Sequence, residues 1–202
     1  MPNWCFNNLT VSGNPKDVER FRRTAKGRTH TYNDFHQGNT FMGGGWPAFD
    51  EIRLMALIST PPELGKESDL SFHQLYSVPD EVRAIPYSRN TAVEVYKKLG
   101  IPEEDWVDSG YEWEQAHWGC KWGASEAELT EREEGMLGYI FSTPWGPPMG
   151  FMEKVTKDYP ELCFELEYEE PGMAFAGKSE WSDGELTFEE SWEIEEDSEW
   201  EE

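Results

Sequence analysis

Basic residues are scarce in this sequence. Its 202 residues carry 17 Lys and Arg against 41 Asp and Glu, a formal net charge of -24. A surface of that sign repels nucleic-acid phosphates and anionic membranes. Direct binding to a DNA or RNA backbone is therefore disfavoured, and a protein partner with a basic surface is allowed. No apolar run approaches the roughly 18 residues that a membrane helix needs, and Leu54 to Ile58 is only the length of a core strand. Met1-Pro2-Asn3-Trp4 has neither a basic start nor an apolar signal segment, so export is not expected. The three cysteines, Cys5, Cys120 and Cys163, are an odd and widely spaced set. They fit reduced thiols in a cytoplasmic protein better than a disulfide framework.

Catalytic signatures are missing as well. There is no Gly-x-Ser-x-Gly elbow, and Gly43-Gly44-Gly45 lacks the Lys-Ser/Thr that would make a P-loop. His117 and Cys120 form one short pair without the second pair that zinc sites usually have, even if Cys5 lies near. On the strand expected there, they point to opposite faces. His30, Asp34 and His36 read as a solvated loop. With 41 acids, carboxylate spacing says nothing about acid-base roles. The balance favours a protein that is not an enzyme, with no metal and no cofactor.

What is abundant is aromatic surface and acid. Aromatics make up 14% of the chain, with ten Trp, enough to bury a core from few side chains. Residues 3–11 read as a first strand with imperfect alternation. Asn14 and Pro15 then open a helix, Val18, Phe21 and Ala25 give it an apolar face, and Gly27 ends it. Residues 28–60 are loop-rich, with a short strand expected from Phe49 to Ile58, and a helix is expected from Asn90 to Leu99. His117 to Leu129 reads as a long strand, Glu131 to Gly135 as a turn and Met136 to Thr143 as the hairpin partner. Trp145-Gly-Pro-Pro148 then opens a helix striped by Met149, Met152, Val155 and Tyr159. Leu162, Phe164, Leu166 and Tyr168 alternate as a half-buried strand. Met173 to Ala176 reads as a short strand, and Leu186, Phe188, Trp192 and Ile194 alternate through the acidic end.

Without residues 28–116 the order is βαββαβ. The expected fold class is α+β, with a ferredoxin-like split βαβ core: an antiparallel sheet with helices on one face and a large insertion after the first helix. The expected organisation is a single domain over 1–194 with that insertion, followed by an acidic tail, 195–202. The uncovered face of such a sheet is either shielded by the insertion or exposed.

Several stretches carry a family resemblance. Met-Pro-Asn-Trp-Cys-Phe-Asn-Asn-Leu-Thr-Val-Ser-Gly at the start resembles the opening of the YubB-type ferredoxin-like family of plasmid and phage proteins. Ile58-Ser-Thr-Pro-Pro-Glu-Leu64, Trp118-Gly-Cys-Lys-Trp122, Phe141-Ser-Thr-Pro-Trp-Gly-Pro-Pro148 and Tyr168-Glu-Glu-Pro-Gly-Met-Ala-Phe-Ala-Gly177 are similar to its later blocks, in the same order. The resemblance implies a ferredoxin-like core and carriage on mobile genetic elements. It implies no catalytic set.

Two candidate surfaces remain. Residues 161–202 hold seventeen acids and one base, Lys178, for a net of -16. The first candidate is a protein-binding surface of Glu165, Glu167, Glu189, Glu190, Trp192, Glu193, Glu195 and Glu196. In this division of labour carboxylates steer and aromatics anchor, against the plain alternative of a solvated acidic face. Extended at about 3.3 Å per residue, the acids of residues 185–202 come once per roughly 6 Å. Duplex DNA carries a charge per about 1.7 Å, so the tail alone does not imitate one. The expected partner is a protein with a basic groove, as in counter-defence against restriction or CRISPR systems. The second candidate is a ligand site of Trp118, Lys121, Trp122 and Trp145 near a helix N-terminus, against the alternative that these rings are core. RNA binding by the open sheet is a third possibility, opposed by the charge.

Overall fold

In the computed structural model of the chain, the residues described are 3–30, 64–79, 97, 102–103 and 110–194. Strand β1 (Trp4–Gly13) leads into helix α1 (Pro15–Ala25). The Asn14 side chain accepts from the Lys16 N–H at the start of that helix, as a capping residue should. Two short strands follow, β2 (Gly27–His30) and β3 (Leu64–Ser68), then a single helical turn, α2 (Phe72–Leu75), and helix α3 (Gly110–Trp118). The C-terminal half runs β4 (Ser125–Glu133), β5 (Met136–Pro144), α4 (Met149–Asp158), β6 (Leu162–Glu170), β7 (Phe175–Ser182) and β8 (Glu185–Glu193).

The main sheet has six antiparallel strands in the order β4-β5-β1-β6-β7-β8. Its first four strands, β4-β5-β1-β6, are two split βαβ units interleaved: α1 crosses from β1 to β4 and α4 from β5 to β6. β7 and β8 extend the sheet as a meander. β2 and β3 pair as a separate ribbon, and all of β2 but Gly27 falls in the stretch 28–60 that the sequence reads as loop-rich.

One face of the sheet builds the core. Cys5, Leu9 and Val11 of β1, Leu137, Tyr139 and Phe141 of β5, and Leu162, Phe164 and Leu166 of β6 are buried there. Phe21 of α1 meets Tyr139, Tyr159 and Phe164 edge-on. Phe72 stacks on Phe151 of α4, with centroids 3.6 Å apart, and meets Trp118 and Phe141 edge-on. Through that one ring α2 is fixed against the helical layer and the sheet.

Some boundaries differ from expectation. The long strand expected over His117 to Leu129 is the end of α3, an irregular segment and then β4. The turn expected at Glu131 to Gly135 is only two residues long, since β4 persists to Glu133; Gly135 takes φ 84, where a side chain is strained. Residues 171–173 form a 3-10 turn capped by the Glu170 carboxylate, so the strand expected from Met173 begins at Phe175 instead. The strand expected at Phe49 to Ile58, the helix expected from Asn90 to Leu99 and the tail 195–202 lie outside the described residues.

Candidate functional site

Alternation along β1 sends Cys5, Asn7, Leu9 and Val11 into the core and Trp4, Phe6, Asn8 and Thr10 to the opposite face. That opposite face is open. Phe6 is 56% exposed and Trp192 49%, with Trp4, Ile140 and Phe188 also exposed. These are large apolar groups left in water on one surface, which marks interaction sites more often than isolated exposed residues do.

The register fixes who sits beside whom. Phe6 lies beside Glu169, Glu169 beside Ala176 and Ala176 beside Trp192. The next row is Asn8, Glu167, Lys178 and Glu190, and the row after it is Thr10, Glu165, Glu180 and Phe188. Carboxylates thus fill the middle of the face and aromatics frame it. Glu165 and Glu180 stand directly opposite one another, an arrangement that would repel. Lys178 resolves it, with its ammonium 3.0 Å from each carboxylate. These two hydrogen bonds push the Lys178 pKa up to about 12. Among the described residues no ion pair reaches Glu167, Glu169 or Glu190.

Between the aromatics lies a concavity of about 670 Å³, lined by Phe6, Ile140, Glu167, Glu169, Ala176 and Trp192 among others. Its cause is local. Ala176 is a small residue flanked in its row by larger ones, and the backbones of β1 and β8 on either side stand three strand spacings apart, about 14 Å.

The structure brings together four of the residues chosen from sequence as protein-binding: Glu165, Glu167, Glu190 and Trp192 share the open face. Glu189 and Glu193 do not join them. They lie opposite Ser179 and Phe175 in the register and so project from the other side of β8. Glu195 and Glu196 lie outside the described residues. Phe6, Ile140, Glu169 and Ala176 were missed. For Phe6 the signal was the imperfect alternation of β1, since apolar residues at both odd and even positions mean apolar surface on both faces.

The ligand set is not brought together as expected. Trp118, Lys121 and Trp122 do not lie on the long strand expected from His117 to Leu129, because that stretch is the end of α3 and a loop. Trp118 is fully buried, its indole N–H donating to the Tyr76 carbonyl at 3.1 Å. Trp122 is exposed in the left-handed region, φ 65, its backbone N–H donating to buried Glu114 at 2.9 Å. The Lys121 ammonium lies 5.6 Å from the Tyr111 ring centre. Trp145 is exposed, with its N–H bonded to the Asn3 carbonyl at 2.9 Å. The start of α4 is occupied by protein. A Cβ placed on Gly150 would fall 2.6 Å from the His117 carbonyl oxygen, so the end of α3 is packed against the first turn of α4.

His117 and Cys120 likewise do not lie on opposite faces of a strand. His117 stacks on Trp113 within α3, with Nδ1 2.8 Å from the Trp113 carbonyl oxygen. Burial pushes the Cys5 thiol up to about 12 and Cys120 higher still, so neither is a ready nucleophile or ligand. Among the described residues no group of three or more His, Cys, Asp or Glu is placed to hold a metal ion. Asp34 and His36 lie outside the described residues. No described helix is long and apolar enough to cross a membrane.

Comparison with known proteins bears on the fold. Residues 117–202 match the family described as a ferredoxin-like domain in Api92-like protein. The chain is also similar to the crystal structure of a protein api92 from Yersinia pseudotuberculosis, with a TM-score of 0.62 at 10% identity, over 95% of this chain and 98% of that one. The fold is ferredoxin-like. At that identity the likeness speaks to architecture alone. No curated protein matches the chain. The resemblance motifs at Trp118, Phe141 and Tyr168 fall inside the matched stretch; those at the N-terminus and at Ile58 fall outside it.

Proposed function

We propose that this protein is a non-enzymatic interaction module that docks a basic surface of a protein partner on its open sheet face. The observation that carries the reading is the row structure of that face. Glu165, Glu167, Glu169 and Glu190 sit among exposed Phe6, Trp192 and Phe188, and Lys178 is already held by two glutamates. Carboxylates steer a cationic partner over distances of a Debye length, and the aromatics supply the short-range anchor. The same charge opposes a nucleic-acid ligand on this sheet.

The YubB-type resemblance belongs to the proposal. A cytoplasmic protein of a phage or plasmid that covers a nucleic-acid-binding groove of a host or element-encoded protein is its concrete form, and a counter-defence inhibitor is one such protein. A basic groove suits an acidic occupant whose charges are spread over a sheet face rather than strung along a tail. The test is capture from host lysate at low and high salt, with the Glu165→Gln, Glu167→Gln, Glu190→Gln triple variant alongside. A basic partner retained by the wild type at low salt, released at high salt and lost from the variant is the expected result. Capture that ignores salt and the three substitutions would overturn the electrostatic reading.

A further inference from the structure

We propose that the concavity between Phe6 and Trp192 is a seat for a single arginine side chain of the partner, an inference that rests on the docking reading above. Three features of the site select the occupant.

The first is shape. The floor is Ala176 and Gly177, and the rings of Phe6 and Trp192 stand on either side of it in one cross-sheet row. Both rings are exposed, so a flat group seated against either one can stack on it, and guanidinium stacks on such rings better than ammonium does. The second is charge. Glu167 and Glu169 line the same concavity, and no ion pair among the described residues reaches either. The single base on the adjoining strands, Lys178, is directed to Glu165 and Glu180, which share the next row beyond its own. The concavity therefore holds negative charge that the described protein does not neutralise. The third is spacing. Glu167 and Glu169 are two residues apart on β6 and project from the same face, about 7 Å apart along the strand. A guanidinium offers five donors in a fixed fork, enough to reach one carboxylate with two bonds and still point toward a second.

An anionic or neutral ligand would leave the carboxylates without a partner, and a lysine would lose the stacking and the fork. A nucleic acid could use the rings but would bring its phosphates against the glutamates on both sides.

The test uses three hexapeptides of alternating glycine with arginine, lysine or citrulline, titrated into the full-length protein by calorimetry at low salt. An unstructured RNA oligonucleotide forms a fourth arm. The arginine peptide is expected to bind about tenfold more tightly than the lysine peptide, and the citrulline peptide is expected to show no binding. Trp192→Ala and Glu169→Gln should each weaken the arginine peptide by about tenfold or more, while Glu153→Gln on the exposed side of α4 should leave it unchanged. Circular dichroism confirms that each variant is folded. Equal binding of the arginine and lysine peptides, indifferent to Trp192→Ala, would overturn the arginine seat while leaving general acidic docking intact. Binding of neither cationic peptide would overturn the seat, and if salt-dependent capture also failed, the docking reading would fall with it. Tight binding of the RNA would replace both with a nucleic-acid surface.

Discussion

Lys178 is the single base among seventeen acids in residues 161–202, and the structure places it where its charge is most needed. Without it, Glu165 and Glu180 face each other across a strand pair, with Glu167 and Glu190 on either side of the vacated position. Lys178→Gln keeps much of the side-chain volume and removes the charge. Its melting temperature should fall by a few degrees at low ionic strength. The deficit should shrink at roughly 0.5 M salt, where repulsion between exposed carboxylates is screened within a few ångströms. Thermal melts of both proteins across a salt series check this. A deficit that salt leaves unchanged would mean that packing of the lysine stem, rather than its charge, is what the strand loses. Glu19 of α1 shows the same chemistry with the signs exchanged. Hydrogen bonds from Arg22 and Arg23 hold its carboxyl down at about 2, and Arg132 lies within 3.5 Å. In the helical layer three arginines gather on Glu19, whereas on the open face one lysine is shared between two glutamates.

At the scale of elements, the close approach of α3 and α4 is the feature most exposed to a small change. The His117 carbonyl sits where a Cβ on residue 150 would be, at 2.6 Å. Gly150→Ala must therefore separate the two helices or shift the first turn of α4, at a cost of about 1–3 kcal/mol. Chemical denaturation of the variant measures it, and an unchanged midpoint would contradict the packing described here. Sequence reasoning found α1, α4 and β6 because each carries a clean signal, an Asn-Pro start, a Pro-Pro start and strict period two, and it found β1 and β5 as runs of strand formers bounded by turn residues despite their imperfect alternation. It missed α3 because four aromatic or imidazole side chains in nine residues resemble a strand. The helical cues were present all the same. Glu112, Glu114, Gln115 and Ala116 are good helix formers, Trp113 and His117 stack one turn apart, and Gly119, at φ 81, takes the left-handed position that ends a helix. The candidate site was legible in half. Alternation in β6 and β8 exposed Glu165, Glu167, Glu190 and Trp192. Phe6, Ile140 and Ala176 come from three other strands, and only strand order and register place them beside the carboxylates.

For the molecule as a whole, the two faces of the sheet have different charge chemistry. On the helical side Arg20 pairs with Glu161, Arg22 and Arg23 with Glu19, and Lys154 with Asp158. On the open side one lysine serves a field of glutamates that continues to β4, where Glu128 and Glu131 lie opposite Ile140 and Gly138. β4 and β8 are the outermost strands of the sheet, and both are rich in Glu, which discourages edge-to-edge association with a second copy. A surface guarded against its own kind at the edges, yet apolar and acidic on its face, suits a partner of opposite charge that covers the face. Zero-length carbodiimide cross-linking of the protein to a captured basic partner, followed by mapping of the joined peptides, tests this most directly. The account predicts cross-links at Glu165, Glu167, Glu169 and Glu190. Cross-links confined to Glu153, Asp158 and Glu161 on the helical side would contradict it.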